Sequence, residues 1–181
     1  LDDVRDEPGA MPLLQHALQE LWQRRRGRWL RCLEYRAIGG IQQAIAFTAD
    51  AIYARSAPSE QERLRAIFVR LTRLDREEAE QRRDTRQRVV FSELVPASAD
   101  PAPVRALVDR LADARLLVTG ISPTGQETVE VAHEALIRGW PRLRIWLIED
   151  RGALLLRETI GQAARDWEQA GHDEGYLLRG G

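Results

Sequence analysis

Any chemistry in this chain has to come from a narrow set of residue types. Its three histidines, His16, His133 and His172, are far apart in sequence, beside no cysteine and in no HExxH pattern. Spacing therefore assembles no metal site from them. Glu134 follows His133 directly, and neighbouring residues on a helix diverge rather than share a face. Cys32 is the single cysteine, which excludes an internal disulfide and a cysteine-based zinc finger. All 27 basic residues are arginine. Without lysine these residues supply no Schiff base, no lysine general base and no lysine of a phosphate-binding loop. No G-x-S-x-G elbow occurs, and no serine has an identifiable base. Paired carboxylates such as Glu77-Glu78 and Glu149-Asp150 read as solvated helix faces or ends. The chain by itself is expected to hold no catalytic residues and no metal ligands.

Composition narrows the classes further. At 181 residues the chain is long enough for one large domain or two small ones. Hydrophobic residues at 44% and charged residues at 30% suit a globular chain rather than a disordered one. A net charge of −1 provides no bulk attraction for nucleic acid. Apolar runs such as residues 153–156 are too short to cross a membrane. No basic segment precedes an apolar one at the start, so a cytoplasmic location is expected.

Hydrophobic spacing then indicates the elements that must position any site. Leu14, Ala17, Leu18, Leu21 and Trp22 recur every three or four residues, predicting an amphipathic helix over about 12–26 with Pro12 in its first turn. Gly39-Gly40 separates this from a second stripe, Ile41, Ala44, Ile45, Thr48 and Ile52. Ser59 with Glu62 has the form of a capping box, predicting a helix with Leu64, Ile67, Phe68 and Leu71 on its core face. Residues 75–88 hold five acidic and five basic side chains and read as an exposed connection, after which Val89-Val90-Phe91 returns to the core. Asp100-Pro101-Ala102-Pro103 caps another helix, with Val104, Leu107, Val108 and Leu111 as its stripe. Two β-rich runs, 116–120 and 128–131, flank Ser122-Pro123-Thr124-Gly125 and predict a hairpin. Val129 and Val131 are expected on one side of it, Thr128 and Glu130 on the other. Helical spacing resumes at His133, is divided by Pro141, and continues through Ala153, Leu156, Ile160, Ala163 and Trp167.

The expected fold is mainly α. An all-helical portion over 1–57 precedes a winged-helix unit over 58–147 with one small β-hairpin, and a C-terminal linker helix occupies 148–181. A winged helix makes DNA binding the first alternative function. Its reading helix would span about 104–115, where Arg105, Arg110 and Arg115 are offset by Asp109 and Asp113. The hairpin adds Glu127 and Glu130 and no arginine, which works against phosphate contacts. The run Arg24-Arg25-Arg26 with Arg28 is more basic but reads as a helix end. A structural protein–protein adaptor, anchored by Trp140, Trp146 and Trp167, is the second alternative.

Two segments carry a resemblance that favours neither alternative. Gly9-Ala10-Met11-Pro12-Leu13-Leu14 resembles the Gly-x-Pro loop of the helical lid in STAND-class NTPases, a branch of the AAA+-like signalling ATPases. Residues 129–138, VEVAHEALIR, resemble the "MHD" element of their winged-helix domain, where a strand leads into a His-acidic pair opening a helix. Residues 129–151 are similar to bacterial STAND NTPases that often carry WD-repeat propellers, and 163–180 to the linker that follows. Met11 stands where the family more often has leucine, while Ala132 and Glu134 replace the methionine and aspartate of "MHD".

The resemblance implies that residues 1–57 are the helical lid. It implies nucleotide-binding roles for Pro12, against the adenine, and for His133, at the β-phosphate of ADP in the resting state. No G-x-x-x-x-G-K-[ST] loop occurs, so ADP or ATP, with its Mg²⁺, would be held chiefly by a P-loop NTPase domain ahead of this chain. Following sensor repeats in the same polypeptide, and a homo-oligomer on activation, are the other implied partners. Neither membrane nor DNA is expected as a partner. The chain begins at Leu1 without an initiator methionine and is expected to be the lid and winged-helix part of a larger protein. Its implied function is regulatory, a nucleotide-sensing and autoinhibitory module in signal transduction. Alone it is expected to be neither an ATPase nor loaded with nucleotide.

Overall fold

Regular apolar spacing becomes helix in the computed structural model, which describes residues 10–75 and 84–172. Helix α1 (Ala10–Gln23) turns Leu13, Ala17 and Leu21 inward. Helix α3 (Gly40–Arg55) packs on it and buries Ile41, Ala44, Ile45 and Ala49. Between them, α2 (Cys32–Ala37) is a six-residue helix with no buried residue, so no apolar stripe could announce it. Helix α4 (Pro58–Arg70) buries Leu64, Ile67, Phe68 and Val69.

The start of α4 departs from the expected capping box. Pro58 occupies the first turn, Ala57 is the N-cap, and no side chain caps the helix. Proline's fixed φ begins the helix one residue early, which takes Ser59 inside it and out of capping position. Gln61 closes the corner instead. Its Nε2 donates to the carbonyls of Tyr53 at 3.0 Å and Ser56 at 3.1 Å.

The acidic and basic stretch after α4 is more ordered at its ends than expected. Strands β1 (Thr72–Arg73) and β2 (Thr85–Arg86) pair antiparallel, with Thr72 opposite Arg86. Residues 76–83 lie outside the described part. Strand β3 (Val89–Val90) leads into a 3-10 turn, Phe91–Leu94, and then to α5 (Ala102–Asp113). Asp100 caps α5 as expected, its Oδ1 accepting the Ala102 N–H at 3.0 Å. Val104, Leu107, Val108 and Leu111 are all buried.

Strands β4 (Leu117–Ile121) and β5 (Glu127–Val131) form the expected hairpin. The Gly125 N–H donates to the Ser122 carbonyl at 2.9 Å, and Gly125 takes the positive φ of 77° that a glycine adopts without strain. The expected single hairpin gains a partner, because β3 adds to the free edge of β5 and the sheet order is β3-β5-β4. A two-residue strand has no period to read, so this third strand was invisible in the sequence. With β1 and β2 there are two small antiparallel sheets in a mainly helical chain.

After β5 come α6 (Glu134–Gly139) and α7 (Pro141–Gln169), divided at Pro141 as expected. Helix α7 runs unbroken through residues 147 and 148, between which the sequence reading places a unit boundary. Trp140 sits at the α6–α7 corner with no exposed surface. Its ring meets Phe68 edge-on at 5.1 Å and Trp146 at 5.3 Å. Its Nε1 donates to Asp50 Oδ1 on α3 at 3.0 Å. Trp140→Ala should therefore lower the unfolding free energy by about 3–5 kcal/mol in urea titrations. Trp140→Phe, which keeps a ring but drops the N–H, should cost clearly less. Equal losses in the two variants would contradict ring packing as the main contribution.

Candidate functional site

Helix α1 and the open end of the β4–β5 hairpin, away from its turn, line a cleft of about 420 Å³. Gln15 and His16 line it from α1, Ala112 and Arg115 from the end of α5, Thr119 from β4, and His133 from the start of α6. In sequence the histidines are isolated. Folding brings His16 and His133 to one cavity.

His16 is 4% exposed and fixed by a hydrogen bond. Its Nε2 lies 3.1 Å from Thr48 Oγ1 on α3, while that hydroxyl donates to the Ala44 carbonyl at 3.1 Å. Because Thr48 has one proton and gives it to Ala44, its oxygen accepts from His16. His16 therefore carries its proton on Nε2 and leaves Nδ1 as an acceptor. Burial holds its pKa below the usual 6.5; Glu20 opposes the shift, and the charges of His133 and Arg115 reinforce it. His133 is partly buried and is depressed in the same way, first by burial and then by the positive charge of Arg86. Both rings are neutral at pH 7.

His133 holds an extended conformation, φ −138° and ψ 128°, as the N-cap of α6, and its side chain caps no backbone N–H. Helix α6 has only six residues, so a helix dipole adds little at this histidine. Pro12 is the third residue of α1 and lies four residues ahead of His16. Its side chain, with those of Ala10 and Met11, is outside the described part, as is all of Gly9. His172 follows the end of α7 and packs its ring against Trp167 at 4.2 Å, away from the cleft-lining set.

Arg115 is the lining residue that sequence reasoning did not single out for this cleft. Its only visible signal is an arginine directly after the apolar stripe of α5, where helices often end in glycine. The other arginines of α5 are occupied. Arg105 forms a two-pronged pair with Glu127 and stacks 3.5 Å from the centroid of Phe91. Arg110 pairs with Glu60 at 3.1 Å and donates to Ser56 Oγ at 2.9 Å. Among the described residues, no group of three His, Cys, Asp or Glu side chains could hold a metal ion, and no helix is long and apolar enough to cross a membrane.

A family model described as Novel STAND NTPase 1 matches residues 1–175. The chain belongs to this STAND NTPase family. No curated protein and no solved structure matches it. In this STAND NTPase chain, Gln15 and His16, which follow Pro12 on α1, line one cleft with His133.

The neutral histidines give the fold a pH dependence of known sign. Unfolded, both imidazoles take up protons near pH 6.5; folded, they do so only at lower pH. Between those values the unfolded chain binds more protons, so stability rises with pH. It is fully present above 6.5 and is lost as the pH falls toward the folded pKa values. Urea unfolding at pH 7.5 and 5.5 should show this loss, and the double variant His16→Gln, His133→Gln should show less of it. An unchanged pH dependence in the double variant would contradict the assignment.

Proposed function

We propose that this STAND NTPase chain is a regulatory lid and winged-helix module that senses a nucleotide and helps hold ADP in a resting state. Residues 1–57 act as the lid, 58–147 as the winged-helix unit and 148–181 as the linker. One observation supports this reading: His133 and the helix bearing Pro12 bound the same cleft, which a second imidazole and a guanidinium also line. ADP supplies the phosphates that tie the parts together. Pro12 contributes an apolar surface for the base, and His133 contributes a ring that donates to phosphate oxygen when its proton faces the cleft.

The chain's own residues lack what hydrolysis needs. A preceding P-loop domain would hold the triphosphate and Mg²⁺, and following sensor repeats, such as a WD-repeat array, would receive the trigger. Exchange of ADP for ATP would then release the winged-helix unit and permit a homo-oligomer, a two-state switch biased by ligand. The setting that fits this role is cytoplasmic signal transduction. Two features weigh against the other readings. Arg105 and Arg110, the arginines a DNA-reading α5 would use, are engaged by Glu127 and Glu60. Trp140 and Trp146, two of the three candidate adaptor anchors, are spent in the core at 0% and 6% exposure.

The test uses the polypeptide in which a P-loop domain precedes this segment. His133→Ala should speed ADP release by about tenfold or more, the loss of one hydrogen bond to a charged group. It should also shift size-exclusion profiles toward assemblies without the trigger. ADP retention equal to wild type would sink the assignment. The 181 residues alone should hydrolyse no ATP above background in a phosphate-release assay.

A further inference from the structure

Arg115 occupies a backbone position that favours glycine. It follows α5 at a φ of +57°, in the left-handed region. Its N–H donates to the Ala112 carbonyl at 2.8 Å, and the Leu116 N–H to the Leu111 carbonyl at 2.9 Å. Those paired bonds are a Schellman closure, whose left-handed residue is usually glycine because any Cβ is strained there. Strain of this kind persists where a side chain is needed.

The hairpin register says where that side chain is. Leu117 pairs with Val131, and the Ala132 N–H donates to the Leu116 carbonyl at 2.9 Å. Arg115 directly precedes that pairing on one side, and His133 directly follows it on the other. Arg115 lines the cleft with both histidines, and its charge is felt at His16. Among the described residues lining the cleft, it alone carries a formal positive charge, and none of them is a carboxylate. With the His16 proton given to Thr48, only the neutral ring of His133 has a hydrogen bond to offer a phosphate, and it brings no countercharge.

We propose that Arg115 is the anchoring cation for a phosphate or diphosphate group in this cleft, and that the turn keeps a strained arginine because glycine would remove that charge. The inference rests on the nucleotide-facing reading of the cleft and adds to it the residue that supplies the charge. Guanidinium and phosphate match in a two-pronged geometry that a single imidazole cannot offer.

The experiment titrates inorganic pyrophosphate into the 181-residue chain by calorimetry, with thermal melts of every variant. Arg115→Gly should raise the melting temperature while weakening pyrophosphate binding by about 10- to 100-fold. Arg115→Asn, whose side chain tolerates left-handed backbone, should keep the fold and lose binding equally. Arg115→Lys should retain part of the affinity. A wild-type chain that binds no pyrophosphate, or glycine and asparagine variants that bind within about twofold of wild type, overturns the proposal. If His133→Ala weakens binding and the Arg115 variants do not, the nucleotide-facing reading survives and the role of Arg115 falls. If neither change matters, both fall.

Discussion

The cleft exists because Trp140 ties the α6–α7 corner to α3. Its indole is fully buried between Phe68 and Trp146, and its N–H reaches Asp50. The same carboxylate oxygen accepts from Arg142 Nε at 2.9 Å. Asp50 is 46% exposed, so this ion pair is worth little in itself, and burial of the rings does most of the stabilising. What the polar contact adds is direction. It fixes α3 against the corner, and α3 carries Thr48, which orients His16. His133 stands at the other end of α6 from Trp140. Both imidazoles thus take their positions from one corner.

The distribution of charge follows a similar economy. A chain with only arginine as its cation has many guanidinium groups to place, and most near the β-sheets are paired. Arg88 meets Glu130 at 3.0 Å, Arg105 meets Glu127, and Arg70 meets Glu93. These are exposed or half-exposed pairs of modest worth. Their consequence is electrostatic. They neutralise the faces of α5 and the hairpin that a nucleic acid would need, while no carboxylate is among the described residues that line the cleft with Arg115.

Much of this was legible residue by residue. The stripes of α1, α3, α4 and α5 gave their buried faces correctly, because a 3.6-residue period records a one-sided environment. Asp100, Pro141 and Gly125 marked boundaries through local chemistry. The failures share a cause. Helix α2 buries nothing, β1, β2 and β3 are two residues each, and Ser59 lost its cap to Pro58. Periodicity needs several residues and a buried face, and none of these elements has both.

The mainly helical fold, the hairpin and the resemblance to STAND NTPases are all readable along the chain. Those are local patterns, set by side-chain spacing, turn residues and short motifs. Packing brings His16 and His133 to one cleft and adds Arg115 to its lining. His16 is held by a residue 32 positions away, and Arg115 lines the same cleft as His133 from the other side of a hairpin. Such contacts arise from which faces pack together, and no spacing along the chain encodes them.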